Sequence, residues 1–170
     1  MNGCDNFCSY CIVPYVRGRE VSRSPESVFE EVDRLEQLGV KEITLLGQNV
    51  NSYHYVKDGK VIKFYDLLAD IANRSSSIKW IRFESPHPKD FSDYLIDVIA
   101  NEPKIARHLH IPAQSGSSKI LKLMNRKYSR ERYLELVYAL KNKVSNLTLT
   151  TDVMVGFPGE TEQDFQQTLD

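Results

Sequence analysis

Apolar positions along this chain change period several times, and each change marks an element. Val28, Val32, Leu35 and Leu38 recur at helical spacing, with Ser24 placed to cap, Pro25 at the first helical position and Gly39 at the end. Glu42-Ile43-Thr44-Leu45-Leu46 is a short apolar run stopped by Gly47, which predicts a buried strand. Lys57-Asp58-Gly59-Lys60 lies between Val56 and Val61-Ile62 and predicts a small hairpin. Leu67, Leu68, Ile71 and Ala72 predict a second helix, and 78–83 a second strand that Ser85-Pro86-His87-Pro88 breaks. Leu95, Ile96, Val98 and Ile99 predict a third helix, and Leu109 and Ile111 a third strand. Beyond these come a short helix through Leu121 and Leu123 and a longer one capped by Ser129. A fourth strand is expected over 147–155 and a last helix with Thr161 and Asp164 as its capping box. Residues 1–23 show no such period and are expected to be loop.

Strand and helix alternate throughout. Parallel strands need helical crossovers, so the pattern predicts an α/β fold of repeated βα units, a partial (β/α) TIM-like barrel. Its chemistry belongs in the loops at the strand C-termini, which begin near Gly47, Ser85, Pro112 and Gly156. The polar start and the mid-helix end read as a barrel truncated at both ends.

Composition narrows the classes. Lys and Arg number 22 against 23 Asp and Glu, so a uniformly basic nucleic-acid-binding domain is excluded, though a local basic patch is not. No apolar run approaches the ~20 residues that span a bilayer, so no membrane partner is expected and a cytoplasmic location is.

All three cysteines fall in one run, Cys4-Asp5-Asn6-Phe7-Cys8-Ser9-Tyr10-Cys11. An odd, tightly spaced set is not a disulfide framework. Three soft thiolates suit zinc or an iron–sulfur cluster. Zinc in a structural site takes four protein ligands, and the histidines 54, 87, 108 and 110 are all remote in sequence. A four-iron cluster with three thiolates keeps one iron open for a small molecule. A non-enzymatic metal-binding module remains the alternative reading of these residues.

The C-x₃-C-x₂-C spacing resembles that of the radical S-adenosylmethionine (SAM) enzymes. The resemblance implies a radical SAM core in which Cys4, Cys8 and Cys11 hold a [4Fe–4S] cluster. Its open iron binds SAM, and reduction cleaves SAM to a 5′-deoxyadenosyl radical. It further implies SAM contacts from Gly47, Gln48 and Asn49, from Glu84 or Ser85, and from Gln114, Arg126 and Asp152, with Tyr10, Val153 and Val155 near adenine. Arg126 would offer paired donors to the SAM carboxylate. Other roles stay open on the residues alone. Glu84 suits a salt bridge, Arg126 a solvated basic surface beside Lys122 and Lys127, and Asp152, inside an apolar run, a buried ion pair.

Four segments, GCDNFCSYCIVPYVRGRE, LLGQNVNSY, PAQSGSSKILKLMNRKYS and TTDVMVGFPGET, resemble the methylthiotransferase family in order. The Gly47–Tyr53 loop resembles its tRNA-modifying MiaB-type branch. That implies methylthiolation of C2 of N6-dimethylallyladenosine at position 37 of tRNA. The alternatives are a ribosomal protein or a threonylcarbamoyladenosine tRNA substrate. The resemblance also implies an electron donor such as flavodoxin or ferredoxin. Arg17, Arg19 and Arg23 become RNA-contact candidates, although such charges equally suit a solvated loop. Family members carry a second, auxiliary [4Fe–4S] cluster on an N-terminal domain and an RNA-binding TRAM domain at the C-terminus. With neither present, residues 1–170 are expected to be the central domain and not to complete turnover alone.

Overall fold

The computed structural model describes residues 1–170. Helix α1 spans Val13–Arg17 and α2 Pro25–Gln37; strand β1 spans Glu42–Leu45. The hairpin is β2, His54–Lys57, and β3, Lys60–Lys63. Then follow α3 (Phe64–Arg74), β4 (Trp80–Phe83), α4 (Asp93–Asn101), β5 (His108–His110), α5 (Ser118–Leu123), α6 (Arg130–Lys143), β6 (Thr148–Thr150) and α7 (Glu162–Leu169).

Strands β1 and β4 pair in parallel, as do β5 and β6. A parallel bridge between Ile81 and Ile105 joins the pairs, with Ile81 N–H donating to the Lys104 carbonyl at 2.8 Å. Spatial order therefore follows chain order, as successive right-handed βα crossovers dictate. The result is an open, partial barrel. Ile81, Ile105 and Leu109 are buried with Leu68, Ile71, Leu95, Ile99 and Leu140 from the covering helices α3, α4 and α6.

Local chemistry sets the element ends as predicted. The Ser24, Ser129 and Thr161 hydroxyls each accept from a first-turn N–H, and Asp164 returns the bond to Thr161 N–H at 3.0 Å. Asp58 and Gly59 both take positive φ, 49° and 74°, the pair that closes a two-residue hairpin matching strand twist.

Three expectations need correction. Residues 1–23 are not wholly loop: Val13–Arg17 form α1, with Pro14 in its first turn, and Asn2 pairs antiparallel with Val21. The predicted strand over 147–155 ends at Thr150 and resumes only as a bridge from Val153 to Gln114. Asp152, expected inside a buried run, has a side chain 69% exposed, because no neighbouring strand covers β6 on its far side.

Candidate active site

The site gathers where the four parallel strands end. The cysteine loop lies across these ends and is tied down on two sides. On one side Ser9 N–H donates to the Met124 carbonyl at 3.0 Å. The Asn125 amide donates to the carbonyls of Asn6, 3.3 Å, and Phe7, 2.8 Å. On the other side Cys4 N–H donates to the Gly18 carbonyl at 3.2 Å. Gly3 is required there: it has φ 77°, and a Cβ would sit 2.0 Å from the Arg19 carbonyl oxygen.

Cys4 and Cys8 are buried and Cys11 is partly so; all three are free thiols. Asn6 donates to Cys4 Sγ at 3.5 Å, and Arg126 Nη1 to Cys8 Sγ at 3.6 Å. Burial raises the Cys4 thiol above its ordinary value, and the Asn6 bond opposes that rise. No group of three Cys, His, Asp or Glu side chains is arranged around a single point. Soft, clustered thiols that accept hydrogen bonds from neighbouring side chains suit a cluster.

Arg126 is the centre of the other half. It is half-buried rather than part of a solvated surface. Its Nε donates to Tyr128 Oη at 2.9 Å, its Nη2 to the Pro112 carbonyl at 3.2 Å, and its Nη1 also reaches Tyr10 Oη at 3.4 Å. Four of its five N–H donors are thereby engaged, so one Nη2 hydrogen is left for a ligand. Partial burial pushes the Tyr10 hydroxyl up to about 12; Arg126 opposes the shift, and Cys8 and Cys11 reinforce it.

Gln114 takes φ 67°, and its N–H donates to the Asp152 carbonyl at 2.9 Å, so these two residues sit side by side. Asp152 Oδ2 pairs with His110 Nε2 at 3.2 Å. At the other end of the sheet Val50 N–H donates to the Ser85 carbonyl at 3.3 Å, which brings the Gly47–Asn49 loop against Glu84-Ser85. Ser85 has φ 59°. Asn49 is fully buried; its amide donates to Asp90 at 2.8 Å while its Oδ1 has no partner, and buried Gln48 Oε1 likewise has none.

The structure therefore brings Cys8, Tyr10, Arg126 and the Pro112–Gln114 loop together, and Gln114 with Asp152. The arginines 17, 19 and 23 lie outside this group. Arg17 is exposed at the end of α1. Arg19 pairs with Asp5 at 2.8 Å, and Arg23 with Glu31 at 2.5 Å.

Sequence reasoning passed over four residues here. Asn51 clamps the His87 backbone, donating to its carbonyl at 3.0 Å and accepting its N–H at 2.8 Å. His87 is buried, its Nδ1 accepts from Lys89 N–H at 3.2 Å, and its ring packs edge-to-face on Tyr128 with centroids 5.5 Å apart. Burial drives this imidazole down to about 2, with Arg126 and Lys89 adding to the shift. Tyr128 carries Arg126 over its ring at 5.1 Å. The fourth is Glu20, half-buried between two loops. The sequence signal for His87 was its place between two prolines, where it read only as a strand breaker.

The sequence model of the radical SAM superfamily matches residues 1–170. The chain belongs to the radical SAM superfamily. Within it, the chain is 56% identical over 174 residues to a tRNA-2-methylthio-N(6)-dimethylallyladenosine synthase of Treponema pallidum (strain Nichols). It is 56% identical over 171 residues to the protein of the same name from Desulforamulus reducens. These alignments cover 100% of this chain but only 38% and 37% of the relatives, so the chain spans little more than a third of their length. Among solved structures, the cobalamin-dependent S-adenosylmethionine radical enzyme OxsB superposes with a TM-score of 0.66 at 15% identity, over 99% of this chain and 25% of that one. That likeness is one of fold, and it agrees with the open, partial barrel. No helix is long and apolar enough to cross a membrane.

Proposed function

We propose that residues 1–170 are the central radical SAM domain of a tRNA methylthiotransferase acting on C2 of N6-dimethylallyladenosine at position 37 of tRNA. Identity of 56% across the whole chain with synthases named for that product carries the reading. The rest of the relatives' length is where the auxiliary [4Fe–4S] cluster and the TRAM domain belong, and the cytoplasm, with its tRNA, is the place of action.

Cys4, Cys8 and Cys11 hold the [4Fe–4S] cluster in this proposal. When bound and reduced by a flavodoxin- or ferredoxin-like donor, the cluster supplies the electron that cleaves SAM into methionine and a 5′-deoxyadenosyl radical. The chain's own residues bind and orient. Arg126 keeps one N–H and its full charge for the SAM carboxylate, a single charge-assisted bond rather than a fork. Gln114 and Asp152, side by side at the strand ends, accept from ribose hydroxyls. Backbone groups of the Gly47–Asn49 loop and Glu84 or Ser85 meet the methionine amine. Tyr10, Val153 and Val155 flank adenine. Arg17, exposed and near the cysteine loop, is the free cation of the three RNA candidates; Arg19 and Arg23 reach RNA only by leaving their carboxylates.

The test uses the full-length protein, reconstituted with iron and sulfide under anaerobic conditions. Electron paramagnetic resonance of the reduced protein should show a cluster signal that changes on adding SAM. Incubation with tRNA carrying N6-dimethylallyladenosine should yield the 2-methylthio product. A cluster indifferent to SAM overturns the radical reading, and turnover only on another tRNA base or on a ribosomal protein overturns the substrate.

A further inference from the structure

We infer that Glu20 is the positioning residue that holds the cysteine loop in register with the loop after β1. This rests on the reading of Cys4 as a cluster ligand and of the Gly47–Asn49 loop as a SAM contact.

The geometry is specific. Glu20 Oε1 accepts from the N–H of Asp5, the residue after Cys4, at 3.3 Å, and Asp5 Oδ1 accepts from Glu20 N–H at 3.3 Å. The same Oε1 lies 3.4 Å from the Asn49 amide nitrogen, and Oε2 accepts from the Ser52 hydroxyl at 2.8 Å. One carboxylate thus joins the backbone beside Cys4 to two side chains of the β1 loop. The cysteine loop's other anchors go to Leu123, Met124 and Asn125 on the opposite side of the site, or to Gly18, Arg19 and Val21 in its own segment; toward the loop after β1 the only other tie comes from Met1, three residues before Cys4, whose amine donates to the Leu46 carbonyl at 3.3 Å. Without Glu20 the residues beside Cys4 keep their ties to Gly18 and Arg19 but lose their direct link to the Asn49 and Ser52 side chains. The Asn49 amide, which Asp90 also accepts, would lose its tie toward the cysteines.

A second consequence is electrostatic. A half-buried carboxylate near a cluster ligand disfavours an added electron, because its charge is only partly compensated. Arg19 neutralises Asp5 rather than Glu20. Glu20 would therefore lower the reduction potential of a cluster held at Cys4 while keeping Asp5 in register with Asn49 and Ser52.

The experiment compares the full-length wild type with Glu20→Gln, Glu20→Asp and Ser52→Ala, each reconstituted with iron and sulfide. Three readouts are taken: the rate of iron loss to a chelator, the cluster midpoint potential, and the SAM-dependent change in the paramagnetic signal. Glu20→Gln should lose iron about tenfold faster or more, raise the potential and blunt the SAM response. Glu20→Asp keeps the charge and loses the reach, so its potential should stay near wild type while its SAM response weakens. Ser52→Ala removes the hydroxyl that lies 2.8 Å from both Glu20 Oε2 and the Asn49 carbonyl and leaves the Glu20 charge in place; it should weaken the SAM response without moving the potential, which keeps the test open if a Glu20 variant fails to fold. Variants indistinguishable from a SAM-responsive wild type overturn the role of Glu20 alone. A wild type whose cluster ignores SAM overturns the functional reading and this inference with it.

Discussion

At the scale of single residues, Arg126 and His87 show how burial decides what a side chain does. Both occur in sequence contexts that read as surface or punctuation. In the fold, Arg126 turns inward because the turn after α5 carries it over Tyr128, where carbonyl, hydroxyl and thiol acceptors compensate its desolvation. Replacing Arg126 with Met removes a charge-assisted bond worth roughly 1.5–3 kcal/mol. The full-length protein should then bind SAM about 10- to 100-fold more weakly, measured by equilibrium dialysis with labelled SAM. His87 makes a prediction about pH. Its native pKa, about 2, lies below the unfolded value, so the unfolded chain binds the extra proton through the window between them. The stability His87 contributes is complete above about pH 6.5, falls as the pH drops toward 2, and has a slope of up to about 1.4 kcal/mol per pH unit. Urea unfolding of the wild type and His87→Phe between pH 4 and 7 measures this. The variant should show a shallower decline with acid, and an equal slope would exclude a buried neutral imidazole.

At the scale of elements, caps and close approaches set boundaries that apolar periodicity leaves loose. The Ser24 hydroxyl accepts from Ser27 N–H at 3.2 Å and starts α2. Ser24→Ala should cost about 1 kcal/mol in denaturant unfolding, with the slope unchanged. The last helix depends on a contact no local pattern reveals. A Cβ on Gly116 would lie 2.1 Å from the Gln167 carbonyl oxygen, so α7 seats its backbone directly on the loop after β5. Thr168 Oγ1 accepts from Gly116 N–H there at 2.9 Å, and buried Asp164 accepts from Ser117 at 2.8 Å and Lys119 at 2.7 Å. These donors hold the Asp164 carboxyl well below the usual range, the Lys119 bond contributing most. Gly116→Ala should unseat α7, seen as faster amide exchange in Glu162–Leu169 while α3 keeps its protection.

At the scale of the whole molecule, the sheet is open. Strands β1 and β6 each pair on one side only, and apolar Val153, Val155 and Leu169 lie exposed around the β6 end. Unpaired strand edges template association. The isolated 170-residue chain should therefore self-associate as its concentration rises, by light scattering, at concentrations where the full-length protein stays monodisperse. The openness also explains Asp152. An apolar run predicts burial only if something covers it, and in this chain only His110 bonds that carboxylate, while Gln114 N–H takes the Asp152 main-chain carbonyl.

Period, caps and turns were legible because they are local. Helix α2 announces itself through Ser24-Pro25 and Gly39, the hairpin through Asp58-Gly59, and α7 through Thr161 and Asp164, since each rests on bonds within four residues. The cysteine spacing was legible for the same reason: three thiols in eight residues act as a unit wherever the chain goes. The sequence alone thus determined the succession of βα units and the gathering of all three thiols in one loop. Tertiary structure decided what meets that loop. Arg126 reaches Cys8 across 118 residues, Asn51 clamps His87 across 36, and Glu20 joins Asp5 to Asn49 and Ser52. Such contacts follow from the order and twist of the strands, which bring the loop ends to one rim, and no spacing along the chain encodes them.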